Sequence, residues 1–390
     1  MKFALLFPLG TLGFLLVAVS APQAHRVSPP SDALREAYSL APHYQKCIEV
    51  GGFPVLASEK VSDYALLEAA HWIGLMLEKR EDVHRALVAE KVRYGIMAVD
   101  EFTTDLPEHS DLTPPAYWDK RARGLGSSPE RPCVSCGEEN LLRYKGDPYF
   151  TESILIHEFA HAYHLQGLNV AEPKFDGRLK ACYDAAMAGG LWKGKYASSN
   201  KEEYWAEGVQ SFFDTNREPD HDHNHVNNRA ELKEYDIRLH NLIAETFRNP
   251  DWRYTRPETR AGQGHLRGYD PKSAPTFGWP KSVNDAFAAH EEAERILPKV
   301  ATLPMDKLVN AASPAGGKRV RFLIRNDSDK PAQLFWIDFK GKRKSYGWIR
   351  NGYDATQHTF AGHLFLVTDA KGEPVALFEA PKNPSRAIVK

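Results

Sequence analysis

The stretch Ser153-Ile-Leu-Ile-His157-Glu158-Phe159-Ala160-His161-Ala-Tyr-His164-Leu165 decides how this chain is read. Its length and apolar content predict a helix. Residues four apart on a helix stand about 40° apart around the axis, so both imidazoles can address one metal ion. Glu158 is then displaced toward the side where a water would sit. Zinc accepts such nitrogen and oxygen donors in a tetrahedral arrangement and leaves a fourth position open for chemistry. In a chain with 16 histidines the five-residue pattern arises by chance in roughly a few cases per hundred. Helical context and a suitable third ligand must therefore decide.

The metzincin pattern is disfavoured, because His164 and Gly167 stand where it needs Gly and His. His164 reads as a packed imidazole or one lying behind the ligands. The better source of a third ligand is Tyr196-Ala-Ser-Ser-Asn-Lys-Glu202-Glu203-Tyr204-Trp205-Ala206-Glu207. Ser199-x-x-Glu202 reads as a capping box that opens a second helix. Glu203 and Glu207 share a face of it, so that one could ligate the metal while the other orients a ligating histidine. Taken alone, both are equally readable as surface acids. The run His221-Asp-His223-Asn-His225 reads as a solvated loop, with a second metal as the alternative.

The spacing from Tyr196 to Glu203, together with His157-Glu-Phe-x-His161, resembles the catalytic domain of the lethal-factor-like, proline-directed zinc peptidases over roughly residues 141–213. The resemblance implies ligand roles for His157, His161 and Glu203 and a general-base role for Glu158. It also implies oxyanion support from Tyr196 and an orienting place for Glu207. The function so implied is that of a zinc metalloendopeptidase, with Zn2+ as its cofactor.

Beyond Lys318 the apolar period switches to two. Val320, Phe322 and Ile324 alternate with polar residues, Leu334–Phe339 reads as a strand, and residues 338–342 read as a hairpin turn. Strands are also expected over residues 359–368 and 375–378. Trp336, Tyr346 and Gln357-His358-Thr359-Phe360-Ala361-Gly362-His363-Leu364-Phe365, in that order and spacing, resemble the β domain of the von Hippel-Lindau family. That resemblance implies a β-sandwich with a pocket for 4-hydroxyproline. Trp336, Tyr346 and Phe365 would form its walls, and His358, Thr359 and His363 its polar contacts. Phe365 stands in place of a Trp and Thr359 in place of a Ser. Packing within the sandwich core is the other reading of these aromatics.

The chain has 390 residues, a formal net charge of -1 and 26% charged side chains, which gives no general electrostatic reason to seek nucleic acid or anionic lipid. An uncharged apolar run from Ala4 to Val19 follows a single Lys and leads to small residues, as in a secretory leader cleaved after Ala21 or Ala24. A retained anchor is the alternative. Cys47, Cys133, Cys136 and Cys182 are then expected in two disulfides, with half of a structural zinc site as the alternative for Cys133-x-x-Cys136. The expectation is an α+β chain: leader 1–24, zincin-type metallopeptidase domain 25–297, linker 298–317 and all-β sandwich 318–390. It is expected to be secreted or otherwise exported, to the extracellular space or a periplasm, and to act on protein or peptide substrates, hydroxyproline-bearing ones among them. The rival from another class is a non-catalytic extracellular binding protein on a decayed zincin scaffold.

Overall fold

The computed structural model of the chain describes residues 26–390, and the expected leader, residues 1–24, lies outside them. Strands β1 (Lys46–Val50) and β2 (Phe53–Ala57) are joined by Gly51-Gly52, both at positive φ, a conformation glycine enters without steric cost. β3 (Arg93–Met97) and β5 (Cys133–Gly137) add in parallel, and β4 (Gly124–Leu125) closes the sheet as an antiparallel edge, in the order β1-β2-β3-β5-β4. β2 is buried at every position, as a strand covered on both faces must be.

The helices are α1 (Asp32–Tyr38), α2 (Asp63–Leu77), α3 (Glu81–Ala89), α4 (Pro115–Arg121), α5 (Glu138–Leu141), α6 (Ile154–Ala162), α7 (Asn169–Ala171), α8 (Phe175–Ala188), α9 (Lys201–Phe212), α10 (Arg229–Tyr235), α11 (Ile237–Thr246) and α12 (Lys281–Arg295). One apolar core joins the sheet to α2, α6, α9 and α11. Phe159 of α6 meets Phe53 edge to face, and Trp205 of α9 stacks on Phe247 while its indole N–H donates to Ala160 O at 2.9 Å. Burying side chains of this size is worth about 1.5–3 kcal/mol each. The pair α6 and α9 is thereby fixed from within.

The C-terminal residues form a sandwich of two four-stranded sheets, β10-β7-β13-β6 and β12-β11-β8-β9. Its strands are β6 (Lys299–Val300), β7 (Arg319–Asn326), β8 (Ala332–Ile337), β9 (Arg343–Ile349), β10 (Asp354–Phe360), β11 (Leu364–Thr368), β12 (Pro374–Glu379) and β13 (Ser385–Val389). Phe322, Ile324, Leu334, Phe365 and Val367 fill the space between the sheets. The protein is therefore mixed α and β with an all-β C-terminal region.

Several expectations need correction. Residues 298–317 are no free linker: Lys299–Val300 pairs with β13, Leu303 N–H donates to Leu377 O at 2.7 Å, and Leu303, Leu308 and Ala311 pack on the sandwich. The expected single helix of residues 228–247 is two, because Asp236 leaves helical geometry and caps α11 with its carboxylate. The expected strand 359–368 divides at Ala361-Gly362 into β10 and β11. No disulfide forms, and all four cysteines are free. Cys133 and Cys136 lie three apart on β5, so their side chains leave opposite faces of the strand. Cys136 joins the main core, while Cys133 lies beside Gly95.

Candidate functional site

Ser153 opens α6 by accepting the amide of Ile156, and the helix carries His157, Glu158 and His161 toward the open side of the sheet. α9 is capped by Asn200, whose carboxamide accepts the Glu203 amide at 2.8 Å. The cap is thus one residue later than the expected Ser199 box. Asn200 places Glu203 in the first helical turn, opposite α6.

The three candidate ligands converge. His157 Nε2 and His161 Nε2 are 3.3 Å apart, and Glu203 Oε2 lies 3.2 Å from the first and 3.4 Å from the second. Donors around a tetrahedral zinc ion, at bonds of about 2.0–2.1 Å, stand about 3.3 Å from one another. The separations therefore fit the edges of one face of such a tetrahedron. Glu158 also offers an oxygen within 4.8 Å of both imidazole donors. Among the described residues, His157, Glu158 and His161 form the group of such donors close enough to share an ion, and Glu203 meets the two imidazoles of that group. Burial disfavours a charged His157, but the carboxylates of Glu203, Glu158 and Glu207 outweigh it and hold its pKa well above the imidazole range. Burial likewise opposes ionising Glu203, yet His161 and His157 hold its pKa well below that of an ordinary carboxyl. The carboxylates thus favour positive charge at this point.

Behind His157 the sequence reading missed a residue. His157 Nδ1 is 2.8 Å from Gln210 Oε1, whereas Glu207 Oε1 is 3.6 Å away. Gln210 in turn donates to Glu152 and to Ser153 O, each at 3.1 Å. In the neutral ring that a metal would require, a proton on Nδ1 donated to Gln210 leaves the Nε2 lone pair facing His161 and Glu203. Glu207 is buried and accepts from Asn216 Nδ2 at 3.1 Å. A signal for Gln210 was present, since 203, 207 and 210 fall on one helical face.

Burial raises the pKa of Glu158, and the imidazoles of His157 and His161 offset only part of that rise. Burial and the Glu203 charge push the Tyr196 phenol well above its ordinary pKa, so its hydroxyl stays a donor. Its ring lies 6.2 Å from that of His157, nearly parallel. Edge strand β4 borders the cluster at close range. A Cβ on Gly124 would come within 3.3 Å of Glu158 Cγ, and one on Gly126 within 2.9 Å of His161 Cβ. Arg123 pins the start of β4 through a buried two-pronged pair with Glu139, at 2.5 and 3.0 Å.

These groups open into a cleft of about 1760 Å³ whose opposite wall is the outer face of β7 and β10, including Arg321, Arg325, Thr356 and His358. α12 closes one end, through Phe287 stacked on Tyr117 and an ion pair from Glu294 to Arg321 at 2.5 Å. His164 is elsewhere: it is buried against Phe175 and Trp205 with Asp176 at 3.1 Å, and burial lowers its pKa to about 4. His221, His223 and His225 do not converge either. They contact Asp222, Asp220 and Tyr235 respectively.

On the sandwich, Trp336, Tyr346, Thr359 and His363 lie near one another, whereas Phe365, expected as a wall, is buried in the core between the sheets. Thr359 Oγ1 and His363 Nδ1 are 2.8 Å apart, the His363 ring lies 5.4 Å from Trp336, and Tyr346 lies 6.2 Å from buried Phe365. Phe339, which the sequence reading left out, joins Trp336 and His363 at 5.1 and 5.8 Å. Phe339 and Tyr346 are 54% and 53% exposed, so the patch is open to a ligand. His363 Nε2 and Trp336 Nε1 are buried without a partner. His358 does not belong to this group. It neighbours Thr359 on β10 and so points to the other face, where it lines the cleft.

No curated protein matches the chain. The family model of the VHL beta domain matches residues 313–379, so the C-terminal sandwich is similar to that domain.

Proposed function

We propose that the protein is an exported zinc-dependent endopeptidase whose C-terminal module binds the protein substrate. The observation that carries this reading is the meeting of His157, His161 and Glu203 at 3.2–3.4 Å with Glu158 beside them. His157, His161 and Glu203 would hold a zinc ion, which would supply Lewis acidity and lower the pKa of an attacking water toward neutrality. Glu158, with its raised pKa, takes the proton of that water and returns it to the leaving amine. Tyr196 keeps its proton and donates to the oxyanion that develops on the scissile carbonyl. The outer edge of β4 offers an extended peptide backbone hydrogen bonds beside Glu158.

For the module, the VHL beta domain match and the open aromatic patch support recognition of a protein segment, and we read hydroxyproline as its ligand. Trp336, Tyr346 and Phe339 offer flat apolar faces. If the Thr359 hydroxyl donates to His363 Nδ1, the partnerless Nε2–H of His363 is left to meet a ligand oxygen. Export rests on the apolar leader alone, and the free cysteines lend it no support.

Peptide-library cleavage by the wild type beside Glu158→Gln tests the catalytic part. Glu158→Gln should keep its zinc, because the three ligands remain, and lose nearly all turnover. Equal cleavage by both proteins would overturn the mechanism.

A further inference from the structure

At one place the C-terminal module grips the catalytic half behind Tyr196. Trp348 N–H donates to Ser199 O at 3.0 Å. Gly347, at φ +86°, lies so close that a Cβ there would stand 2.6 Å from the same oxygen. Two residues beyond Trp348, buried Arg350 donates to the carboxylate of Asp222, and the Tyr353 hydroxyl donates to the same oxygen at 2.5 Å. The Arg350 guanidinium also lies over two rings, 5.1 Å from the centre of Tyr196 and 3.8 Å from that of Tyr353. Asp222 O in turn accepts the Tyr196 amide at 2.8 Å. Asp222 thus holds the backbone of Tyr196 with its carbonyl and two side chains of the module with its carboxylate.

We propose that Arg350 is a positioning residue for the peptidase site, fixing Tyr196 through Asp222 and through the stack on its ring. This rests on the reading of Tyr196 as the oxyanion donor. The planar guanidinium suits both tasks at once, since it presents a fork of donors in its plane and a cationic face above and below it. A donor serves a developing oxyanion only where its hydroxyl is held in place before the reaction. Without Arg350, Asp222 keeps a single module partner, Tyr353, and the phenol ring loses one wall.

The test uses full-length, zinc-loaded protein and the best-cleaved peptide of a quenched fluorescent library. Arg350→Ala should lower kcat by about tenfold to a hundredfold, the order expected when a reacting group is misplaced by about an ångström. KM and zinc content should change little. In a Tyr196→Phe background the same substitution should cost no further activity. An equal loss in both backgrounds, or a loss confined to KM or zinc content, would overturn the proposal. Amide hydrogen exchange gives a second reading that needs no turnover. Arg350→Ala, and more mildly Tyr353→Phe, should speed exchange at Tyr196 while leaving α6 unchanged. If the wild type cleaves no peptide, the peptidase reading fails on its own, and unchanged exchange at Tyr196 would still overturn the positioning role.

Discussion

Replacing Gln210 separates an orienting residue from a mere neighbour. In the wild type, His157 Nδ1–H meets Gln210 Oε1 at 2.8 Å, within hydrogen-bond range, while Glu207 stands 3.6 Å off and is engaged by Asn216. Gln210→Ala leaves all three proposed ligands in place but strips the buried Nδ1–H of its acceptor and frees the ring to turn or change tautomer. Outer partners of this kind typically carry a factor of about 10–100 in metal affinity, equivalent to about 1.4–2.8 kcal/mol. Glu203→Ala removes one of the proposed ligands and should cost more, whereas Glu207→Ala should cost less than Gln210→Ala. Zinc affinity, measured by competition with a chromophoric chelator, gives the order directly. A Gln210→Ala protein that binds zinc as tightly as wild type, or one that binds it better than Glu207→Ala, would refute the distance argument. Zinc retained in Glu203→Ala but lost in Glu207→Ala would reverse the ligand assignment itself.

Three further outcomes are expected. The full chain should bind a hydroxyproline peptide more tightly than its proline twin by roughly tenfold to a hundredfold, on the order of 1–3 kcal/mol for a polar pair left unmet. Thr359→Val with His363→Ala should erase that preference, and calorimetry showing equal binding of both peptides by wild type would remove hydroxyproline as the ligand. Gly347→Ala should loosen the docking of the sandwich, since the new Cβ meets Ser199 O at 2.6 Å and a left-handed φ costs a non-glycine residue about 1–2 kcal/mol. Unchanged denaturant midpoint and protease resistance would contradict it. Buried His109 has a pKa lowered to about 4 by loss of solvation, so the unfolded chain binds its proton more readily. Stability should be full above about pH 6.5 and fall on acidification from there toward pH 4. His109→Gln should flatten that part of the urea-stability profile, and an unaltered slope would refute the assignment.

What the sequence made legible was what short-range patterns encode. The helix of His157 and His161, the helix of Glu203 and the period-two strands after Lys318 all follow from spacing within one element. The break at Asp236 was masked because apolar residues continue at helical spacing through it, from Leu232 to Leu239. β9 was missed because its first four positions are exposed and carry charge, a hydroxyl or an open aromatic, so no alternation reaches the sequence. The hairpin of β1 and β2 had its signal in Gly51-Gly52, which went unread. His358 fails for a different reason. A resemblance carries residues across by position, but a strand reverses its facing at every residue, so His358 and Thr359 cannot both face one pocket. The hold of Arg350 on Asp222 spans 128 positions, and no local pattern announces it.

The same strands that carry the aromatic patch also contribute to the cleft. β10 turns Thr359 toward the pocket and Thr356 and His358 toward the cleft. β9 carries Tyr346 beside Phe365, and its next two residues press on Ser199. Pocket and cleft are therefore tied through single peptide units. The segment 298–317 is paired and packed rather than free, so it does not act as a flexible tether that merely raises the local concentration of substrate. On the function proposed above, a peptide gripped at the aromatic pocket would reach the catalytic groups along a path of fixed length and direction. The spacing between the recognised residue and the cleaved bond then becomes a property of the fold. A flexible linker would instead spread cleavage over many positions.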